Sequence, residues 1–322
     1  MIEKINILRK NINNKKITIL GSGISGQGAA LLGNYLGADI LLSDIKKPKN
    51  IDSQIIKNNI RTEFNGHSKK IHNSDLIIVS PGINDKSIKL LKEINRKKIP
   101  LVSEIEFASW FTKSDIVGIT GSNGKSTVVN IVHNILHTKY KNSMLGGNIG
   151  ISFSLNVLNE IENNLNNVIH ILELSSFQLE KIFTFKPKVS CILNITKDHM
   201  DRYNDKNEYF KTKLNIIKNQ SADSFFIFNQ DDILLKNYCS NKKNNIPFSI
   251  QNKKNKIFVD KKNIFSKEYE KNHLIINQNK IKLLGNHNLS NIIASITISK
   301  IFRVDNKFIN KSLNSFIPLP HR

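Results

Sequence analysis

The stretch Thr120-Gly121-Ser122-Asn123-Gly124-Lys125-Ser126-Thr127 has the residue types and spacing of a loop that holds phosphate. It follows a β-type run, Ile116-Val117-Gly118-Ile119, and leads into a helical one. In such a loop the backbone N–H groups cradle the phosphates, Lys125 reaches the β- and γ-phosphates, and a hydroxyl of Ser126 or Thr127 holds Mg²⁺. The strict form of the pattern has glycine where Ile119 stands, so this is a variant of it. A second turn, Gly21-Ser22-Gly23-Ile24-Ser25-Gly26, fits G-x-G-x-x-G, and Asp44 ends the next β-type run 18 residues after Gly26. Its glycines admit a diphosphate close to the backbone, and the helix that follows offers unpaired N–H groups. NAD and a nucleoside diphosphate sugar satisfy that geometry equally, and a tight turn without a ligand is the competing reading. A simple dehydrogenase needs only the turn at 21–26. Two nucleotide-type loops imply a phosphoryl-transfer step.

Two further positions could serve such a step. Glu173 lies near the C-terminal end of the apolar run 168–174, the edge at which open parallel sheets place ligands, and a carboxylate there can hold Mg²⁺ directly or through water. The next apolar run, 189–195, delivers Thr196-Lys197-Asp198-His199-Met200-Asp201-Arg202 to the same edge. Imidazole is an unusual ligand for Mg²⁺, so a surface-loop histidine is the competing reading of His199. Asp198 and Asp201 serve equally well as loop-capping carboxylates.

The elements that position these residues alternate. From residue 16 to about 111, short β-rich runs at 17–20, 40–42 and 76–79 alternate with helical stretches after Gly26, near 53–59 and near 86–97. Such alternation implies a parallel sheet. A second series begins at Ile116, with a helix from Lys125, runs at 168–174 and 189–195, a polar-faced helix around 207–218 and a strand at 225–228. The boundary falls near 110–114. Residues 236–282 are rich in Lys and Asn and read as a small antiparallel addition, and a helix follows over about 288–301. The expected fold class is α/β: an N-terminal Rossmann-like parallel-sheet domain, then a P-loop-type α/β ATPase domain with the antiparallel addition.

Composition narrows the classes. Lys and Arg number 48 against 26 Asp and Glu, a formal net charge of +22 that raises the question of nucleic acid. The excess is spread along the whole chain, as in Lys242-Lys243-Asn244-Asn245, with no interleaved stacking aromatics, so no nucleic-acid partner is expected. Only Cys191 and Cys239 are present and the N-terminus lacks a secretory pattern, which points to a reducing cytoplasm. No apolar run approaches the ~20 residues a membrane helix requires. A soluble monomer is the expectation.

Residues 118–127 (GITGSNGKST), Gly146-Gly147-Asn148-Ile149-Gly150, residues 172–179 (LELSSFQL), 194–203 (NITKDHMDRY), 285–291 (GNHNLSN) and Leu319-Pro320-His321-Arg322 together resemble the Mur ligases. Leu-Ser-Ser-Phe-Gln-Leu and Asp-His-Met-Asp-Arg-Tyr favour the glutamate-adding branch over its sisters and over folylpolyglutamate synthase. The resemblance implies ATP-dependent amide ligation in peptidoglycan precursor synthesis. The alanyl carboxylate of UDP-N-acetylmuramoyl-L-alanine attacks the γ-phosphate of ATP, and the amine of D-glutamate then displaces phosphate from the acyl phosphate. It also implies a UDP-substrate domain at 1–112, an ATP domain at 113–318 and a linker starting at 319–322.

Carried over by motif, Gly121, Ser122, Asn123, Gly124, Lys125, Ser126, Thr127, Asn288, Asn291 and Arg322 bind ATP. Ser126 and Glu173 share one Mg²⁺, and His199 holds a second. Lys213 matches a lysine that the family carbamylates, its carbamate acting as a carboxylate for Mg²⁺; without the resemblance it reads as a solvated lysine. Ile24, Ser25, Asp44, Lys46, Ser80, Gly82, Asn148 and His199 match contacts to the UDP substrate. Lys46 stands where an arginine is frequent, which removes a bidentate contact. The family's third domain, with its D-glutamate site, starts just after Leu-Pro-His-Arg, so the chain is expected to be a substrate- and ATP-binding portion with negligible amide formation by itself. The alternatives are a non-catalytic nucleotide and UDP-sugar binding module, which would bind without forming acyl phosphate, and an NAD-dependent oxidoreductase, which would bind NADH.

Overall fold

A computed structural model describes residues 1–83, 90–239, 244–268 and 271–317. Its elements in chain order are α1 (Ile2–Lys10), β1 (Lys16–Leu20), α2 (Ile24–Tyr35), β2 (Asp39–Ser43), α3 (Ser53–Lys57), β3 (Arg61–Glu63), β4 (Leu76–Val79), α4 (Leu90–Arg96), β5 (Leu101–Ser103) and α5 (Glu104–Ala108). There follow β6 (Asp115–Thr120), α6 (Lys125–His137), β7 (Ser143–Gly147), α7 (Phe153–Glu162), β8 (Ile169–Glu173), α8 (Ser176–Leu179), β9 (Val189–Ile192), α9 (Lys206–Leu214), β10 (Phe225–Asn229), α10 (Ile233–Cys239) and β11 (Asn245–Phe248). The last are β12 (Ile257–Asp260), β13 (Asn263–Glu268), β14 (Lys271–Asn277), α11 (Asn286–Ile301) and α12 (Asn306–Ser315).

Two compact units result. The first holds Met1–Lys113, Gly146–Asn166 and Ser175–Phe185; the second holds Ser114–Leu145, Asn167–Leu174 and Lys186–Arg322. The chain passes from one to the other at 113–114, but α7 and α8 leave the sequence around them and pack with the first unit. The cause is local: α7 lies along α2 and α5, and α8 against α5.

The first unit is built on a parallel sheet of order β3-β2-β1-β4-β5. All four residues of β4, Leu-Ile-Ile-Val, are buried, as expected of a strand covered on both faces. Leu20, Leu41, Ile71, Ile77, Val79, Ile94, Ile99 and Leu101 form one apolar cluster around it. The second unit has a six-stranded sheet, β11-β10-β9-β6-β8-β7, and a separate antiparallel sheet, β12-β13-β14. The α/β class and the antiparallel addition are therefore as expected. Within 236–282, however, α10 and β11 belong to the parallel system: β11 pairs parallel with β10, and only 257–277 is antiparallel. The expected helix near 86–97 is seen as α4, its first residues lying outside the described ones, as does Arg322. No helix among the described residues is long and apolar enough to cross a membrane.

α5 carries an acid wholly inside the first unit. Glu104 is 1% exposed, and burial pushes its carboxyl up to about 7 from an ordinary 4.5, against the lowering effect of its bonds from Ser154. Between pH 4.5 and 7 the folded chain keeps a proton that the unfolded chain releases. Stability from this group is thus full below pH 4.5, falls through that window and stays reduced above pH 7. Glu104→Gln keeps the acceptor without the charge, and is expected to remove up to ~3 kcal/mol of the stability lost between pH 4.5 and 8. Urea unfolding followed by the fluorescence of Trp110, the single tryptophan, measures this at both pH values. An unaltered pH dependence in the variant would assign the effect elsewhere.

Candidate active site

In the second unit, β6 stands between β8 and β9, the point at which chain connections leave the sheet in opposite directions and where such sheets place ligands. Residues 121–124 leave β6 there. The turn needs glycine at its end: Gly124 has φ +83°, and a β-carbon on it would stand 2.4 Å from Asn291 Oδ1. α6 begins at Lys125 with no side chain capping it, so its first N–H groups face the loop.

The segment after β9 fixes the loop from the side. Ser122 N donates to Asn194 O (3.0 Å), Asn123 N to Asn194 Oδ1 (2.9 Å), Ser122 Oγ to Thr196 O (3.1 Å), and Thr196 N back to Ser122 Oγ (3.0 Å). Asn194 and Thr196 were not singled out from sequence, although both lie in the NITKDHMDRY stretch that was. Lys125 Nζ donates to Gly121 O (2.9 Å) and Ser122 O (2.8 Å), which curls the ammonium over the loop.

Beneath the loop, Ser126 Oγ donates to Glu173 Oε2 at 2.7 Å, both residues being buried. A hydroxyl and a carboxylate side by side at the start of a phosphate-cradling helix are hard oxygen donors of the kind Mg²⁺ takes, so these residues fit that ion. Thr127 is half-buried on the same first turn. Lys213 on α9 is 1% exposed, not solvated; its Nζ donates to Gly121 O (3.1 Å) and Thr120 Oγ1 (3.3 Å) and lies 4.6 Å from the centre of the Tyr209 ring. Burial, then the Lys125 charge, bring its pKa down to about 7, with Asp198 opposing.

Tyr209 was also missed. It is buried, its hydroxyl lies 3.3 Å from Ser122 Oγ, and its ring meets that of His199 edge-on at 6.4 Å. His199 itself is exposed, has φ +54° and lies 3.5 Å from Asp198 Oδ2. Among the described residues no three His, Cys, Asp or Glu side chains cluster as a ready metal cage. His199 and Glu173 are thus not gathered with a third such ligand. Asn291 is buried against Gly124, and Asn288 Nδ2 donates to Leu284 O (2.9 Å), just ahead of α11.

In the first unit the corresponding switch point lies between β1 and β4, and a cavity of about 860 Å³ opens there. Ile24, Ser25, Asp44, Lys46, Ser80, Gly82 and Asn148 all line it; His199 does not. The glycine turn at its edge is sterically determined, since a β-carbon on Gly26 would come within 1.8 Å of Gly21 O. Asp44 fastens this turn: its Oδ2 accepts from Ser22 N (2.6 Å) and Ser22 Oγ (2.8 Å), and its Oδ1 from Lys46 N (3.0 Å). Partial burial works to raise the Asp44 carboxyl, but these hydrogen bonds outweigh it and hold the group below its ordinary value. The carboxylate is therefore ionised at neutral pH.

Two polar lining residues had no role in the sequence reading. Gln178 lies inside the LELSSFQL stretch; its Oε1 accepts from Ser175 N (3.0 Å) and closes a capping box on α8. His67 has no local signal. It follows β3, and its Nδ1 lies 2.8 Å from Ser43 Oγ at the end of β2, a neighbour only through strand pairing. Burial lowers the His67 pKa despite Asp44 and Glu63 nearby, so the ring is neutral at pH 7.

Comparison with known proteins follows the same division. Residues 119–299 match the model of the Mur ligase middle domain, and residues 16–88 that of the MurD N-terminal domain. The chain is similar to the UDP-N-acetylmuramoylalanine–D-glutamate ligase of Christiangramia forsetii, 38% identical over 96% of this chain and 69% of the relative. It is also similar to that of Listeria monocytogenes, 36% identical over 96% and 68%. Among solved structures, it superposes on UDP-N-acetylmuramate:L-alanyl-gamma-D-glutamyl-meso-diaminopimelate ligase from Neisseria meningitides with TM-score 0.68 at 15% identity, over 95% of this chain and 99% of that one. UDP-N-acetylmuramate-alanine ligase from Thermotoga maritima gives TM-score 0.55 at 19% identity, over 94% and 68%. The latter two likenesses concern the fold.

Proposed function

The chain belongs to the Mur ligase family, among its UDP-N-acetylmuramoylalanine–D-glutamate ligases, and from that premise we propose that its two sites divide the labour of an ATP-dependent amide ligation in peptidoglycan precursor synthesis. The first unit takes UDP-N-acetylmuramoyl-L-alanine, and the second takes ATP. The product is the amide with D-glutamate, reached through an acyl phosphate on the alanyl carboxylate. The observation that carries this reading is that two separate phosphate-type turns each stand at the switch point of their own sheet. An NAD-dependent oxidoreductase has no use for the second, with its Lys125 and its Ser126–Glu173 pair.

In this reading the diphosphate lies along residues 21–26 at the start of α2, where Ile24 and Ser25 offer backbone N–H groups. Asp44 and Lys46 face the nucleoside, while Ser80, Gly82 and Asn148 border the remainder. A volume of about 860 Å³ is in the upper part of the ~300–1,000 Å³ range of ligand pockets, sufficient for a nucleoside diphosphate sugar. The loop 121–127 surrounds the ATP phosphates, Lys125 balances the charge that develops at the γ-phosphate, and Asn288 and Asn291 border the nucleotide. Ser126 and Glu173 hold Mg²⁺, and carbamylated Lys213 and His199 a second; the ion supplies charge neutralisation for phosphoryl transfer. The reaction is placed in the cytoplasm, with the chain as a monomer.

Isothermal titration tests the division directly. The chain is expected to bind UDP-N-acetylmuramoyl-L-alanine and Mg-ATP as independent ligands, and to give no fluorescence transfer with NADH. ADP release in the presence of both substrates, followed by mass analysis with and without D-glutamate, separates ligation from bare binding. NADH binding together with no affinity for the UDP substrate would overturn the reading.

A further inference from the structure

The cavity of the first unit is assembled from three stretches of chain. Its glycine turn, the Asp44 region and residues 80–83 come from the first 113 residues, whereas Asn148 and Gln178 arrive from segments that are far away in sequence. Something must hold those segments in place. α5 presents two acids for this, Glu104 and Glu106, 1% and 0% exposed. Residues two apart on a helix point about 200° from one another, so the two carboxylates reach different neighbours.

Glu104 Oε1 accepts from Ser154 N at 2.6 Å. Ser154 is in the first turn of α7, whose N-cap hydroxyl, Ser152 Oγ, is already taken by Leu155 N. The loop carrying Asn148 closes onto that turn, with Gly147 N donating to Ile151 O (3.1 Å). Glu106 binds the end of the other segment: its oxygens accept from the N–H groups of Phe183 (3.0 Å), Thr184 (2.8 Å) and Phe185 (2.8 Å) and from Thr184 Oγ1 (2.5 Å). That segment begins with Ser175 and contains Gln178. Buried carboxylates are costly, and packing alone would be served by apolar side chains. Hydrogen bonds add what packing does not, a fixed backbone position.

We propose that Glu104 and Glu106 are positioning residues for the UDP-substrate cavity, each pinning one later segment so that Asn148 and Gln178 stand in its wall. The proposal rests on the reading of that cavity as the UDP-substrate site. Glu106→Gln turns an NH₂ group toward backbone donors, Glu106→Asp keeps the charge on a shorter arm, and Glu104→Ala leaves Ser154 N unpaired.

Affinities for UDP-N-acetylmuramoyl-L-alanine and Mg-ATP are measured on each variant, with amide hydrogen exchange over 147–151 and 176–179. The UDP-substrate Kd is expected to rise about tenfold in Glu106→Gln and Glu104→Ala, with the Mg-ATP Kd unchanged and Glu106→Asp intermediate. Exchange is expected to accelerate at 176–179 in the former and at 147–151 in the latter. An unchanged UDP-substrate Kd, or equal weakening of both ligands, would overturn the proposal. If the wild-type chain does not bind the UDP substrate, the reading of the cavity fails, and exchange alone then decides: protection like the wild type's in both variants overturns the positioning role.

Discussion

Lys125→Ala is expected to abolish ATP-dependent phosphorylation of the substrate, lowering turnover by about 10³-fold or more. The argument starts from the loop. Gly121 O and Ser122 O hold the Lys125 ammonium over the turn formed by 121–124, at 2.9 and 2.8 Å. The uncapped start of α6 offers N–H dipoles to a phosphate at the same spot. Phosphoryl transfer spreads negative charge over the γ-phosphate and the bridging oxygen, and dipoles alone stabilise that charge far less than a positioned cation. ADP release with Mg-ATP and UDP-N-acetylmuramoyl-L-alanine measures the loss. Affinity for the UDP substrate, whose proposed cavity lies in the other unit, is expected to stay at the wild-type value. Unchanged turnover would refute the assignment of the loop.

The two loops were legible in sequence because their signals are local. A strand, a glycine turn and a helix follow one another within about a dozen residues; Gly26 is required by backbone contact with Gly21 O that admits no β-carbon, and Gly124 by its φ of +83°. The buried parallel strands were legible for a related reason: covered on both faces, β4 and β8 read as short, nearly unbroken apolar runs. β13, with the sequence Asn-Ile-Phe-Ser-Lys-Glu, has no such run, and its register even shifts between Ile264 and Phe265. β11 contains a proline and lies at the sheet edge, where strand signals are weakest. His67, Glu104 and Glu106 escaped notice for another reason. Each acts through a partner that only tertiary pairing supplies: Ser43 for His67, Ser154 for Glu104, and Phe183 to Phe185 for Glu106. Sequence patterns locate a turn, whereas the distant segments that complete a cavity around it carry no mark of their destination.

Lys213 shows what the structure adds to a residue that sequence left between two readings. A solvated lysine in a basic helix is excluded by its 1% exposure, and the partners of its Nζ are a hydroxyl and a carbonyl against the face of Tyr209. CO₂ adds to a neutral amine, forming a new N–C bond and releasing one proton, so the reaction needs a lysine that gives up its charge near neutral pH. Burial and the neighbouring Lys125 supply that condition by bringing the pKa to about 7. Raising the pH through 7 is therefore expected to increase carbamate formation. Carbon-13 NMR with labelled bicarbonate is expected to give a carbamate signal in the wild-type chain and none in Lys213→Ala. In ADP release with Mg-ATP and UDP-N-acetylmuramoyl-L-alanine, Lys213→Ala is expected to lose about 10²-fold or more in rate, since the proposed metal-binding carbamate cannot form. Added acetate or propionate restores part of it by occupying the vacated space. Rescue separates the two possible causes of loss, because a small carboxylate replaces a missing anion but does not repair a damaged core. Full activity in Lys213→Ala would leave the buried amine with a packing role alone.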